Sequence, residues 1–379
     1  MRIVILGGGF GGLNTALRLG EKMRESNHEV VLIADKSNFI FRPSLLWVPF
    51  GQRKIEDISF LLAPTLDKAG VKFIQKQVSK IMPRENRIVF HDQSALDYDY
   101  AVIATGAFPD YAKIEGLRGN TSSIYFAEDA LKTKLEIESL DSQKPIIIGV
   151  AQGNPSSWMS YEFLFELDAY LKQKRRNPSI TYFTYEKDLL NHGGKNVTEI
   201  LKTHMQEKGI AYHCDVNLQK VDEENLFFSN GVAIPYGFSL ILPPYKGAEF
   251  IFSSKELNHQ NGLITVNTFL QSVQWENIYV VGDANLLPNQ QVIKTGRAAE
   301  LQGHIAAENI LLRLKGKSQT KEYEDSLLGL MELGTNGGMF VFRYPNSKSS
   351  SSIMEWAMDG TVPHLMKIAF EKYYLWKLR

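Results

Sequence analysis

A cluster of five glycines directly after an apolar run constrains the fold of this chain more than any other feature. Residues 2–6, of which 3–6 are apolar, predict a buried strand, and residues 13–24 have helical spacing. Between them, Gly7, Gly9 and Gly12 fit the spacing G-x-G-x-x-G. We predict that the first glycine makes a tight turn, the second lets backbone approach a pyrophosphate, and the third lets helix pack on strand. The segment therefore predicts a dinucleotide-binding β-α-β unit.

An acidic residue follows the next strand, as this kind of unit requires. Residues 28–34 predict a second apolar strand, and Asp35 stands at its end. We expect its carboxylate to accept the ribose hydroxyls, while helix N–H groups and the helix dipole hold the phosphates. The predicted site also includes Phe10, Gly11 and Lys36.

A second β-α-β pattern lies further along the chain. Residues 145–150 and 180–185 predict strands, and residues 160–172 between them have helical spacing. The sequence therefore predicts an α/β fold with two Rossmann-like dinucleotide-binding domains and a C-terminal amphipathic helical segment. The predicted division assigns residues 1–115 and 262–330 to the FAD-binding domain, 116–261 to the second Rossmann-like domain and 331–379 to a segment that contacts membrane and quinone.

Two later strand ends complete a family pattern. Thr105-Gly106 follows one predicted strand, and Gly282-Asp283 follows another. With the glycine turn, and with the second unit inserted between them, they resemble the two-dinucleotide-binding-domain flavoproteins. In that family the first of these turns passes near the dinucleotide, and the aspartate bonds the ribityl region of the flavin. The resemblance therefore implies FAD as the cofactor of the first unit.

Four segments resemble the sulfide:quinone oxidoreductases, nearly from end to end. The relatives of that group, flavocytochrome c sulfide dehydrogenases and type II NADH dehydrogenases, share the FAD domain and match these segments less well. The resemblance implies that a helix begins near the flavin pyrimidine ring, where Lys294 acts catalytically by stabilising negative charge on the reduced flavin. A solvated lysine at a helix start is the alternative. The predicted cofactor site includes Arg42, Lys294, Thr295 and Gly296, and the four segments are Phe39–Gly51, Tyr161–Phe163, Lys294–Gln302 and Phe370–Leu375.

The chain departs from that group in its cysteines. Cys214 is the single cysteine, so an internal disulfide or a cysteine-based metal site is excluded. The resembling enzymes capture sulfide with a redox cysteine pair, one member of which precedes the Tyr-Glu-Phe segment. Here residues 153–160 contain serines, Ser156 and Ser157 among them, which form neither disulfide nor persulfide. The two-cysteine mechanism is unavailable, and we expect Cys214 to be inert.

The second unit lacks a standard nicotinamide site. The three glycine positions of the fingerprint read Gly149, Ala151 and Asn154, and Pro155 follows. Proline and asparagine at this point argue against a helix that approaches a pyrophosphate. Glu186, after the next strand, is compatible with ribose binding, although an exposed glutamate at a strand end is the commoner explanation.

The C-terminal residues 362–379 predict an amphipathic helix. Aromatic residues with basic neighbours are typical of an interfacial helix on an anionic membrane, and the alternative is docking on the protein's own surface or on a dimer partner. The family resemblance implies anchoring and a quinone tunnel, which favours the membrane. One face carries Leu365, Ala369, Tyr373 and Trp376 with Met366 and Phe370 beside it, the basic neighbours are Lys367, Lys372, Lys377 and Arg379, and the tunnel candidates are Phe340, Phe342 and Tyr344.

Composition narrows the partners and the location. The 42 basic and 42 acidic residues balance, so no overall field attracts nucleic acid. The histidines have no metal-ligand spacing, and we predict no metal. A strand that begins at residue 2 predicts a cytoplasmic protein without a signal peptide. The absence of a long apolar run excludes a spanning helix, so any membrane contact is expected to be peripheral, on the inner face of the cell membrane. Whether the chain forms a homo-oligomer stays open.

Three functional hypotheses follow. The first is a membrane-surface flavoenzyme that passes two electrons from a small-molecule donor through FAD to a quinone, without cysteine chemistry. The second is a catalytically silent FAD-binding protein that senses redox state or docks to a partner. The third is a diverged NADH:quinone enzyme.

Overall fold

The computed structural model describes residues 1–287, 294–345 and 353–379. Its first unit is built on a parallel sheet of five strands. Four of its strands are mainly buried apolar residues, as is typical of a covered parallel sheet, and the edge strand Lys72–Gln75 is partly exposed. The helix Phe10–Met23 packs on this sheet and against the helix Gly296–Leu314, where Thr15 Oγ1 lies 3.2 Å from the Gly303 carbonyl oxygen. In sheet order the strands are Ile278–Val280, Tyr100–Ile103, Arg2–Leu6, Glu29–Ala34 and Lys72–Gln75.

The second unit has its own parallel sheet, of four strands. Gly149 lies so close to the ring of Phe183 on the next strand that a Cβ there would be 2.3 Å from a ring carbon, which explains the glycine. The prediction of an α/β fold with two Rossmann-like units is confirmed. The strand order is Ala211–His213, Ile180–Thr184, Ile146–Val150 and Phe238–Leu242, and the helices of this unit are Trp158–Gln173 and Lys195–Lys208.

The C-terminal part differs from its prediction. A helix, Thr361–Leu378, closes the chain as expected, but an antiparallel sheet of long strands precedes it. The sheet packs on the helix Trp158–Gln173, where Gly329 leaves room for the ring of Trp158. No helix in the described part of the chain is long and apolar enough to cross a membrane. The strands of this sheet are Leu327–Gly334, Gly337–Pro345 and Ile353–Gly360.

Shorter elements connect and cover these units. Two sheets have two strands each: Asn38–Ile40 with Ser59–Leu61, and Phe108–Pro109 with Tyr245–Lys246. Three sheets have three strands each. In sheet order they are Val78–Met82, Arg87–Phe90 and Ala95–Asp97; then Leu218–Val221, Asn225–Phe228 and Ala233–Pro235; then His259–Gln260, Leu263–Thr265 and Asn285–Leu286. The remaining α-helices in the described part of the chain are Leu62–Lys68, Leu117–Asn120, Ala127–Glu138 and Glu249–Ser253.

Candidate functional site

The predicted dinucleotide residues gather at one edge of the first sheet. In the parallel register, Leu6 lies beside Ile33 and Ile103, and Ile103 lies beside Val280. The strands therefore end together, and the residues that follow each strand meet at the same edge, where ligands bind in open α/β sheets. These residues are Gly7–Gly12, Asp35–Lys36, Thr105–Gly106 and Gly282–Asp283.

The glycine turn has the geometry that its spacing predicts. Gly7 has a φ of +107°, and a Cβ there would lie 2.5 Å from the carbonyl oxygen of Ala104. A Cβ at Gly12 would overlap the carbonyl of Gly7. Gly9 begins the helix with no capping side chain, and a Cβ there would have no atom within 4 Å. The first helical N–H groups thus adjoin open space, an arrangement that suits a phosphate anion.

Two polar side chains of the neighbouring turns have no hydrogen-bond partner among the described residues. The hydroxyl of Thr105 is buried and unpaired. Burial raises the pKa of Asp283, although the nearby charges of Lys294 and Arg42 oppose the shift. Buried polar groups normally find partners, so the Thr105 hydroxyl points to a missing ligand, and the half-buried Asp283 side chain beside it has no hydrogen bond with a described residue. The phosphates and hydroxyls of such a ligand would complement the helix start and these two residues, and FAD offers both.

Lys294 is held by the loop that follows the last strand of this sheet. Its Nζ donates to the carbonyl oxygens of Asn285, at 2.7 Å, and Gly282, at 3.3 Å, and also to Asn285 Oδ1, at 2.9 Å. Burial lowers the pKa of Lys294, and Asp283 opposes the shift. Gln302 Oε1 accepts from Gly282 N and Asn285 Nδ2, at 2.7 and 2.8 Å. Lys294 is thus half-buried and hydrogen-bonded to the protein, and its catalytic role stays a prediction.

The other predicted residues occupy the rim of this edge. Asp35 and Lys36 are exposed at the strand end. Thr295 caps the following helix, because its Oγ1 accepts from Ala298 N at 3.1 Å. Gly296 lies against the ring of Phe10, and a Cβ added at Gly296 would be 3.2 Å from the nearest ring carbon.

A pair of tyrosines beside Arg42 was not predicted. The guanidinium carbon of Arg42 lies 4.8 Å from the ring centroid of Tyr125, and Tyr125 meets Tyr245 edge to face at 5.7 Å. The Tyr125 hydroxyl donates to the carbonyl of Ala107. Since Tyr245 follows the last strand of the second sheet, the two units meet here. No motif in the sequence marks either tyrosine.

The turn of the second unit is filled by its own asparagine. The Asn154 side chain is 1% exposed, and its Nδ2 donates to the Pro243 carbonyl at 2.6 Å. Its Oδ1 accepts from Ser156 N at 2.8 Å. The backbone N–H of Ser156 is thereby satisfied within the protein, and the absence of a standard nicotinamide site at this turn stays a prediction.

Two polar residues of the second unit differ in outcome. The expectation of an exposed Glu186 is wrong, because this residue is 4% exposed and accepts a hydrogen bond from Thr184 Oγ1 at 3.1 Å. Burial raises its pKa. Burial and the nearby acids Asp188 and Glu186 raise the pKa of Cys214 to about 11, which disfavours a reactive thiolate.

A buried acid and base cluster joins the C-terminal part to the second unit. Lys367 pairs with Glu162, and Glu332 N donates to Glu162 Oε1 at 3.0 Å. His364 Nδ1 lies 2.7 Å from Glu332 Oε2. Burial raises the pKa of both glutamates, and Lys367 opposes each shift. Lys367, predicted as one of the basic neighbours of an interfacial face, is therefore buried and presents no charge to a membrane. Among the described residues no group of three ligands could hold a metal.

The apolar face of the last helix is exposed. Trp376 is 76% exposed and Tyr373 is 55% exposed, and Leu365, Met366, Ala369 and Phe370 lie open as well. Met354 and Trp356, on the strand before the helix, are also exposed. Within residues 1–287, 294–345 and 353–379, nothing covers this face. Of the tunnel candidates, Phe340 and Phe342 are half-buried and Tyr344 is exposed.

A family model described as pyridine nucleotide-disulphide oxidoreductase matches residues 1–303, most of the chain. The chain belongs to this family. The matched residues include the dinucleotide edge described above. At the level of the family, the predictions of an oxidoreductase and of FAD as its cofactor are confirmed.

Individual relatives agree with the predicted resemblance. The chain is 29% identical to a sulfide-quinone reductase of Aquifex aeolicus, over 100% of this chain and 91% of the relative. A type II NADH:quinone oxidoreductase of Staphylococcus aureus is 23% identical, over 94% of both chains. The crystal structure of the sulfide:quinone oxidoreductase from Aquifex aeolicus superposes with a TM-score of 0.91, over 100% of this chain and 91% of that one. The resemblance to sulfide:quinone oxidoreductases is confirmed.

Proposed function

We propose that this flavoenzyme passes two electrons from a small reductant through FAD to a quinone at the inner surface of the cell membrane, without a cysteine relay. The observation that carries the proposal is the exposed apolar face of the last helix. A quinone is apolar and resides in the membrane, so an enzyme that reduces it needs a surface of this kind next to its flavin unit. The relatives named above act on quinones by their names, which supports the same acceptor.

The residues of the first edge have distinct roles in this proposal. When bound, FAD supplies reversible two-electron chemistry. The N–H groups that open the helix Phe10–Met23 bind the pyrophosphate, and Asp35 accepts the ribose hydroxyls. Thr105 and Asp283 bind polar groups of the flavin side chain. Lys294 places a positive charge beside them, and its hydrogen bonds to backbone carbonyls keep it in position.

The single cysteine and the environment of its thiol support the proposal of a mechanism without a cysteine relay. A relay needs two cysteines beside the flavin, and the chain has Cys214 alone. Because the raised pKa of Cys214 keeps this thiol protonated, we assign it no part in electron transfer. The donor therefore delivers its electrons to the flavin directly.

An anaerobic titration with candidate donors tests this proposal. Sulfide and NADH are added to separate samples of the FAD-loaded protein, and the flavin absorbance is followed before and after a soluble quinone is added. We expect bleaching by a small donor, recovery with quinone, and the same rates for the Cys214→Ser variant. Loss of the reaction in that variant would contradict direct transfer. A tight NADH complex that bleaches the flavin would assign the donor to the NADH branch instead.

A further inference from the structure

A cavity of about 340 Å³ lies where the first helix, the helix Leu62–Lys68 and the end of the last helix meet. None of the residues assigned to the dinucleotide edge lines it. We call it the cationic pocket, because its wall carries the side chains of Arg18, Arg24, Lys68, Lys377 and Arg379.

The protein itself neutralises only part of this charge. Lys68 Nζ donates at 2.8 Å to the main-chain oxygen of Arg379, which lies in the same wall. Glu21 is the single acidic side chain in the lining, and Arg18 pairs with Glu308 at 2.6 Å. Arg379 donates to backbone carbonyls, which accept hydrogen bonds but carry no net charge, and Arg24 does the same. Lys377 has no hydrogen bond or ion pair with any residue that the structure describes. The pocket therefore has a positive potential that suits an anion.

A histidine in the wall responds to the same potential. Burial lowers the pKa of His304, and the neighbouring charges of Arg18, Lys377 and Arg297 lower it as well, against the opposing effect of Glu300. A bound anion would offset these cations and raise the pKa of His304. The histidine is thus a built-in reporter of occupancy.

The pocket adjoins the exposed face of the last helix. Tyr373 and Trp376, with ring centroids 6.3 Å apart, occupy the turn that leads to Lys377. We propose that the cationic pocket binds the phosphate of an anionic phospholipid headgroup, whose acyl chains lie along this apolar face. Basic side chains beside interfacial aromatic residues are the arrangement that anionic lipids favour. This inference rests on the membrane contact proposed above.

Vesicle binding of the FAD-loaded protein tests the site. Vesicles of phosphatidylcholine, with and without phosphatidylglycerol, are titrated with the parent and with the double variant Arg24→Gln/Lys377→Gln. The matched control is Lys113→Gln/Lys255→Gln, which removes two exposed lysines that do not line the pocket. We expect phosphatidylglycerol to strengthen binding of the parent, and the pocket variant to lose roughly five-fold in affinity per charge removed. The control should lose less than about two-fold.

The outcomes separate this inference from the proposed function. If the parent binds neither kind of vesicle, the membrane contact fails and the lipid site fails with it. If the parent binds both kinds equally, or if the pocket variant and the control lose the same affinity, the membrane contact stands and the specific headgroup site is overturned.

Inorganic phosphate distinguishes a lipid from a free anion. The pKa of His304 is followed by proton NMR with phosphatidylglycerol vesicles and, separately, with phosphate at matched ionic strength. A rise with the vesicles, absent in the pocket variant, supports the lipid site. A rise with phosphate alone, together with unchanged vesicle binding in the variant, assigns the pocket to a soluble anion and overturns the proposal.

Discussion

The ammonium group of Lys367 forms an ion pair with the carboxylate of Glu162, and both side chains are buried. The pair joins the last helix to the helix Trp158–Gln173 of the second unit. Glu371, one turn further along, accepts from Arg53 at 2.9 Å and holds the same helix to the first unit. The exposed apolar face of the helix is therefore fixed in place by polar contacts on its opposite side.

Removing one partner of the buried pair should be costly. We predict that Lys367→Met lowers the free energy of unfolding by about 3–5 kcal/mol, because it leaves the carboxylate of Glu162 buried and unpaired. The double variant Glu162→Gln/Lys367→Met should recover part of this loss. Urea unfolding of the FAD-loaded protein measures both, and Lys372→Met, at an exposed position of the same helix, is the control. Equal midpoints for the Lys367 and Lys372 variants would show that the pair contributes nothing.

Two glycines of the first turn should respond differently to alanine. Gly12→Ala should destabilise the fold, because the added methyl group overlaps the carbonyl of Gly7. Gly9→Ala should fold normally, since its φ is −80° and the space around it is open, but should weaken FAD binding about ten-fold or more, because the methyl group occupies the approach to the pyrophosphate. Thermal unfolding of the apoprotein and fluorescence titration with FAD separate the two effects. Normal FAD affinity in the Gly9 variant would show that the pyrophosphate does not bind next to Gly9.

Asp283 should make the stability of the apoprotein depend on pH. Burial raises the pKa of Asp283 above its ordinary value near 3.8, so its proton is held more tightly in the folded chain. The folded state is consequently favoured below the ordinary pKa, and this advantage is lost as the pH rises through the raised pKa. Asp283→Asn should abolish that part of the pH dependence. The free energy of unfolding of the variant should therefore rise relative to that of the parent as the pH increases. Parallel pH profiles of unfolding for the two apoproteins would contradict this.

The Asp283→Asn substitution should also weaken the binding of FAD. The carboxylate of Asp283 has no hydrogen bond within the described residues, and we assign it to the polar groups of the flavin side chain. Asp283→Asn is thus expected to stabilise the apoprotein at neutral pH and to raise the dissociation constant of FAD about ten-fold. Calorimetric titration with FAD provides the measurement, and an unchanged constant would place this carboxylate outside the cofactor site.

Membrane binding should depend on the exposed aromatic residues. We predict that Trp376→Ser/Tyr373→Ser reduces partitioning onto phosphatidylcholine vesicles by about ten-fold or more, since each large aromatic side chain contributes strongly to interfacial binding. Flotation with vesicles gives the partition coefficient. Phe252→Ser, which changes an exposed aromatic residue of another unit, should leave it unchanged. Equal loss in this control would mean that no particular face is used.

The sequence predicts the first edge well because its chemistry is local. A glycine turn needs only its own strand and helix, and Gly7, Gly9 and Gly12 stand in that order within a dozen residues. The parallel sheet then brings in Thr105 and Asp283, whose strand ends are recognisable by themselves.

The C-terminal part was harder to predict because its structure depends on distant partners. The periodicity of the last helix identifies its exposed face correctly. It does not predict that Lys367 is buried against Glu162, which lies on a helix about two hundred residues earlier in the chain. One signal was present in the sequence: Glu162 and Glu166 stand four residues apart within an apolar helix. Buried charges need partners, so two acids on one face of such a helix indicate a buried polar cluster. The antiparallel sheet was missed because its pairing links strands whose apolar runs are ambiguous by themselves.

Reoxidation of the reduced flavin by quinone tests the central claim most directly. The FAD-loaded protein is reduced anaerobically with dithionite, which removes any dependence on the unknown donor, and a soluble quinone is then added in stoichiometric amount. The account predicts that the flavin absorbance returns with two electrons transferred per quinone, in both the parent and the Cys214→Ser variant. A flavin that stays bleached with ubiquinone and menaquinone analogues alike would contradict it and would leave an FAD protein that does not reduce quinones.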